Sequence, residues 1–246
     1  MSILEVTLLG LLAGTLGTGI GGVIAIMLTR INPVQISALL GLSAGIMIAI
    51  VTFELMPEAL EDGGLFWGLT GLVAGVILMA SIDIVFPHIH MLGTEEQSPY
   101  LKTGVIMGLG IGMHNLPEGL AIGVSGMQDP YVGIALAFAI FLHNIPEGMA
   151  LAMPLNICKV RAHKIIFSAM AVGVPMGFGA FIGGLAGTVS PVINSLVLGL
   201  AAGAMLFITF DELIPQTEKL SKGHSGTFGV VAGVVAGIVI LAVIPH

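Results

Sequence analysis

Eight apolar runs, each near the length of a bilayer-spanning helix, dominate the 246-residue chain. They lie at about 3–29, 34–57, 66–87, 103–127, 131–155, 164–187, 191–216 and 226–244. Short breaks with turn chemistry separate them, such as Arg30-Ile31-Asn32-Pro33, Glu61-Asp62-Gly63-Gly64 and Gln128-Asp129-Pro130. This pattern predicts an all-α polytopic membrane protein with eight transmembrane helices, forming one domain over residues 1–246. Composition agrees, because only 9% of residues are charged, against about one quarter in soluble domains.

Other classes are disfavoured. A net charge of −7 and the lack of any Lys/Arg run argue against nucleic-acid binding. The single Cys158 excludes an intrachain disulfide framework and a Cys-rich zinc site, and it reads as a small packing residue. The N-terminus lacks a basic n-region and an A-x-A cleavage site, so a retained first span is expected.

Charge placement orients the spans. Arg30, Lys102, Lys159, Arg161, Lys164, Lys219 and Lys222 all fall at odd-numbered loops. The positive-inside rule puts those loops in the cytoplasm and both termini outside an inner (plasma) membrane. Glu58, Glu61, Asp62 and Asp129 then form a negative fringe on the outer side.

Two internal repeats stand out. Span two (GLSAGIMIAIVTFELMPEA) and span seven (GLAAGAMLFITFDELIPQT) align at an offset of 158 residues. They share Gly41/Gly199, Gly45/Gly203, Met47/Met205, Glu54/Glu212 and Pro57/Pro215. An odd difference in span number makes the two segments antiparallel, the mark of an inverted repeat. Within spans four and five, His114-Asn115-Leu116-Pro117-Glu118-Gly119 is echoed 29 residues later by His143-Asn144-Ile145-Pro146-Glu147-Gly148.

Ionisable groups inside a bilayer cost a few kcal/mol each, so two His and two Glu in adjacent spans need a reason. Positions i and i+4 share a helix face, which aligns His114 with Glu118 and His143 with Glu147. Pro117 and Pro146 lack N–H groups; they are expected to break the helices and free the carbonyls of Met113 and Leu142. Imidazole, carboxylate and amide oxygen would then converge as a metal site in a bundle core. These donors suit Zn²⁺ and leave Fe²⁺, Mn²⁺, Co²⁺, Ni²⁺ and Cd²⁺ open. A proton relay or polar helix glue is the plainer alternative.

At these residues the chain resembles the ZIP (Zrt/Irt-like) family of divalent metal transporters, in its prokaryotic ZupT/GufA-like branch. The resemblance covers essentially the whole chain, and the duplicated HNxPEG is its most specific part. It implies a 3+2+3 inverted-repeat bundle with the metal site between helices four and five. The implied ligands are His114, Asn115, Glu118, His143, Asn144 and Glu147. It also implies a homodimer and alternating access, spans one, four, five and six moving against a scaffold of two, three, seven and eight. One departure is visible: Val174 precedes Pro175 where many relatives place a Glu that helps hold a second metal. The expected primary site is therefore His114, Glu118, His143 and Glu147, with the asparagines marginal.

The expected function is uptake of zinc into the cytoplasm, with Zn²⁺ as cargo and no organic cofactor. Two competing readings are an intramembrane metal-dependent hydrolase, disfavoured by the lack of H-E-x-x-H, and a metal-selective channel. Glu54 and Glu58 are a candidate inlet relay, and Asp211 and Glu212 a candidate exit. Asp83, His88, His90, Glu95 and Glu96 make a weak metal-binding loop candidate. Met113 and Met149 are candidate path-lining residues, and His163, His224 and His246 read as incidental.

Overall fold

Asn32, Asp129 and Ser190 each precede a proline, and each starts a helix. Their side chains accept hydrogen bonds from the backbone N–H of Val34 (3.0 Å), Tyr131 (2.7 Å) and Ile193 (3.3 Å). Proline follows without cost, since a first-turn residue has no helical partner for its N–H. The computed structural model describes residues 1–28, 32–85 and 99–243.

The helices are α1 (Ile3–Met27), α2 (Pro33–Ile50), α3 (Met56–Val85), α4 (Pro99–Gln128), α5 (Pro130–Ile157), α6 (Ala162–Val172), α7 (Val174–Ala186), α8 (Pro191–Ile208), α9 (Ile214–Leu220) and α10 (Ser225–Val243). Among the described residues, six helical stretches are long and apolar enough to cross a membrane: Ile3–Met27, Pro33–Ile84, Pro130–Ile157, Ala162–Ala186, Pro191–Leu220 and Ser225–Val243. The chain is an all-helical, multi-pass membrane protein.

The longest stretch, 52 residues, reverses at Gly64. Its φ of 75° and ψ of 177° belong to a region that only glycine occupies without strain. Two π-turns link successive helices, the first of them within this same stretch. Val51–Leu55 joins α2 to α3, and Thr209–Leu213 joins α8 to α9. In each, an N–H reaches back five residues, Met56 to the Val51 carbonyl and Ile214 to the Thr209 carbonyl. Pro57 and Pro215 follow immediately. A proline lacks the donor and crowds the carbonyl four residues back, and a wider turn relieves both problems.

The helix breaks expected at Pro117 and Pro146 do not occur. Both α4 and α5 run through these prolines as continuous helices. The missing N–H still leaves the Met113 and Leu142 carbonyls without their usual donor. The break in the sixth apolar run lies instead at Gly173, between α6 and α7.

Close glycine packing sorts the helices into two groups. In the first, a Cβ on Gly21 of α1 would overlap the Ile145 carbonyl of α5, and one on Gly119 of α4 would overlap the Met176 carbonyl of α7. In the second, Gly45 of α2 lies against Val230 of α10, and Gly203 of α8 against Leu72 of α3. Among the described residues, every such inter-helix glycine contact stays inside α1/α4/α5/α6/α7 or inside α2/α3/α8/α9/α10, except Gly110 beside Glu212 Oε2. Between the groups, contact is made largely through side chains. Ile122, Val124, Leu136 and Ile140 of the first pack in one core with Val51, Leu55, Leu198 and Met205 of the second.

Candidate metal centre

Helices α4 and α5 are joined by the single residue Asp129 and lie antiparallel, with Gly126 against Gly133 beside the turn. In an antiparallel pair, the His of one H-x-x-x-E segment lies level with the Glu of the other. His114 Nε2 stands 3.0 Å from Glu147 Oε2, and His143 Nε2 stands 2.9 Å from Glu118 Oε1. The result is two rungs, separated along the helices by about 6 Å at 1.5 Å per residue. All four side chains are buried. Among the described residues, no three His, Cys, Asp or Glu side chains converge on one point. The four groups form two pairs, not one four-ligand cluster.

Much polar capacity remains unspent at the rungs. Eight buried side-chain nitrogen and oxygen atoms lack a hydrogen-bond partner among the described residues, and seven belong to the duplicated motif. They are His114 Nδ1, Asn115 Oδ1, Glu118 Oε2, His143 Nδ1, both amide atoms of Asn144, and Glu147 Oε1. An unpaired buried polar atom costs about 1–3 kcal/mol, so such a concentration marks a place built for a ligand. Imidazole, carboxylate and amide oxygen are the donors of a borderline or hard divalent cation.

The two asparagines differ. Asn115 Nδ2 donates to the Val172 carbonyl at 2.7 Å, at the end of α6 just before the Gly173 break. That bond fixes the amide and leaves Oδ1 free. Asn144 packs against Gly17 of α1, at the α1–α5 seam.

A cavity of about 230 Å³ reaches the His114–Glu147 rung, the lower one, from the end of the bundle that carries Gln216 and Lys219; the His143–Glu118 rung is the upper one. His114 and Glu147 line it, with Asp83, Asp211, Glu212 and Met113. The His143–Glu118 rung is fully buried beyond it.

The sequence profile of the family described as ZIP Zinc transporter matches residues 88–245. The chain belongs to this family. Three similar relatives carry the name "Zinc transporter ZupT". That of Streptococcus mutans is 36% identical over 90% of this chain and 90% of its own length. That of Corynebacterium glutamicum is 36% identical over 92% and 93%, and that of Chlorobium chlorochromatii 34% identical over 96% and 94%.

In this ZIP chain the remaining sequence candidates are dispersed. Val174 is half exposed. Glu54 and Glu58 line a wide groove of about 690 Å³ at the opposite end of the bundle, with Glu61, Asp62, Gln128 and Asp129. Met149 is buried among α1, α5 and α6 side chains, and His163 is exposed. His224 stacks edge-on against Phe228. Arg30, His88, His90, Glu95, Glu96 and His246 lie outside the described residues.

Two features of the ZIP site were not anticipated from sequence. Ser43 of α2 donates to the backbone carbonyl of His143 at 2.6 Å, tying the second helix group to the upper rung. Ser125 of α4 donates to Glu58 at 2.8 Å. Lone serines in apolar runs carry no spacing signal, so only packing reveals them.

Proposed function

We propose that the protein carries Zn²⁺ into the cytoplasm by alternating access, binding it at His114, Glu118, His143 and Glu147 with Asn115 Oδ1 as a further donor. The observation that carries this reading is the set of seven unpaired buried polar atoms in the duplicated motif, placed where a cavity from one end stops. An ion between the rungs would replace the His–Glu hydrogen bonds, drawing on the carboxylate lone pairs and on imidazole nitrogens that have given up their proton. Mixed nitrogen and oxygen ligands exchange for water readily enough to release their cargo. The zinc named in the relatives' descriptions fits these donors. Asn144 is the weakest of the six candidates, because it packs on α1. Fe²⁺, Mn²⁺, Co²⁺ and Cd²⁺ are further cargo candidates on donor chemistry.

The wider arrangement follows in the same reading. The reversal at Gly64, which divides Pro33–Ile84 in two, and the addition of α4 bring the six stretches to eight crossings of the inner (plasma) membrane, with both termini outside. Exposed Leu65, Phe66 and Trp67 just after Gly64 suit a membrane interface. The halves form an inverted 3+2+3 repeat, supported by the π-turns 158 residues apart and by the matching glycine seams α2–α10 and α8–α3. The two glycine-packed groups are the bodies that move against each other. A homodimer in the bilayer belongs to this reading through the family resemblance.

The test is metal-dependent dye quenching in proteoliposomes, with Zn²⁺ and then Fe²⁺, Mn²⁺, Co²⁺ and Cd²⁺. Glu118→Ala and Glu147→Ala are each expected to lower Zn²⁺ uptake at least tenfold. Undiminished uptake in both would reject the site.

A further inference from the structure

The side-chain hydrogen bonds that cross between the two helix groups include three that frame the site and its mouth. One is Ser43 to the His143 carbonyl, at the depth of the upper rung. The other two lie together at the end bearing the Asp129 turn. Ser125 of α4 donates to Glu58 of α3, and Gln128 of α4 donates to Asp62 of α3. Glu58 and Asp62 are one helical turn apart on α3, and Ser125 and Gln128 are one turn apart on α4, so the two bonds form a ladder between the same two faces. Beneath it lies the apolar core shared by Ile122, Val124, Leu136, Leu55 and Leu198.

We infer that this ladder is the outer gate: Glu58 and Asp62 clasp Ser125 and Gln128 to hold the outer mouth closed while the site communicates with the inner cavity. The inference rests on the alternating-access reading above and adds the device that sets its bias. Repeat symmetry sharpens it. The 158-residue offset carries Glu58 to Gln216 and Asp62 to Leu220, and the 29-residue offset carries Ser125 to Pro154 and Gln128 to Ile157. The inner mouth therefore has neither carboxylate with which to build the same ladder. A carrier whose two mouths are otherwise repeat-related, with this ladder at the outer one and its repeat-related counterpart replaced at the inner one, rests with the outer side shut. Opening the clasp also releases two carboxylates into the groove through which an outside cation arrives, so the same groups that seal the mouth face the ion once it parts.

The experiment places cysteines at Asp62 and Gln128 in a Cys158→Ser background and bridges them with a short bis-methanethiosulfonate spacer in proteoliposomes. Zn²⁺ uptake is compared before bridging, after it, and after reduction. The expected result is a loss of more than tenfold on bridging, recovered on reduction, with equilibrium Zn²⁺ binding by the bridged protein in detergent retained. Uptake above half of its unbridged rate in fully bridged protein would overturn the gate. So would failure of the pair to bridge when each single cysteine reacts, or loss of Zn²⁺ binding along with uptake. As a second measure, the Ser125→Ala/Gln128→Ala variant should make a cysteine at Val124 at least threefold more reactive to an impermeant thiol reagent added outside; unchanged reactivity counts against the clasp. The site reading fails separately, through undiminished uptake in Glu118→Ala and Glu147→Ala.

Discussion

Glu54 and Glu212 occupy the fourth position of two π-turns 158 residues apart, and they line opposite cavities. Glu54 borders the groove beside Gln128 and Asp129, whereas Glu212 borders the cavity that ends at His114 and Glu147. A π-turn shifts the helix face by a fraction of a turn, so the residue inside it is re-aimed relative to a regular helix. The same local device, forced by Pro57 and Pro215, thus presents a carboxylate on each side of the rungs.

Placement of these two carboxylates predicts different kinetic defects. Glu54→Gln is expected to raise the apparent KM for Zn²⁺ several-fold with a smaller change in maximal rate, because a negative mouth concentrates cations. The difference should shrink at high ionic strength. Glu212→Gln is expected to lower the maximal rate at least twofold with less effect on KM, since it borders the path of release. Initial-rate uptake over a range of Zn²⁺ at two salt concentrations separates the pair; identical defects would refute the assignment of sides.

The rung register predicts which swaps are tolerated. His114→Glu alone sets two carboxylates face to face, and Glu147→His alone sets two imidazoles face to face. Breaking a buried charged pair costs about 3–5 kcal/mol. The double swap His114→Glu/Glu147→His rebuilds a His–Glu rung and should recover most of that loss in detergent thermal unfolding. The swap His114→Glu/Glu118→His, made along one helix, rebuilds neither rung and should not. A cross-helix swap no more stable than its worse single variant would disprove the register.

How much of this could be read from the sequence depends on the period of the signal. Apolar helical runs, the turn signals ending at Pro33 and Pro130, and the duplicated motif are local patterns, and helices begin at both of those prolines. Pro117 and Pro146 misled, because a proline states only that a donor is missing. Whether the helix breaks, widens into a π-turn or continues depends on what packs around it. Continuous helix follows at Pro117 and Pro146, and a π-turn precedes Pro57 and Pro215. The pairing of His with the opposite Glu was latent in the antiparallel repeat. Ser43, Ser125 and the Val172 carbonyl were not legible, since their importance lies wholly in contacts between distant segments.

Glycine seams predict sharp steric contrasts. A methyl on Gly21 would overlap the Ile145 carbonyl, whereas one on Gly112 meets nothing within 4 Å. Gly21→Ala is expected to cost about 1–3 kcal/mol through overpacking. Gly112→Ala should be neutral, or stabilise by about 0.5–1 kcal/mol through reduced chain entropy. Unfolding temperatures of the two variants in the same detergent check the contrast, and equal destabilisation would mean that the α1–α5 seam is not as described.

Cation binding and stability are linked, and the link gives a test that needs no transport. A ligand held only by the folded state stabilises it by RT ln(1 + [L]/Kd), or about 2.7 kcal/mol at a hundredfold excess over Kd. Zn²⁺ should therefore raise the unfolding temperature of the purified protein, and Mg²⁺, which prefers an all-oxygen octahedral shell, should not. The shift should vanish in the His114→Ala/His143→Ala variant, which keeps both carboxylates but removes the nitrogen donors. It should also shrink as pH falls from about 7.5 to about 5.5, because imidazole must be neutral to ligate and protons then compete with the metal. A Zn²⁺ shift that survived loss of both imidazoles would move the binding site away from the rungs, most directly to the carboxylates of the outer groove.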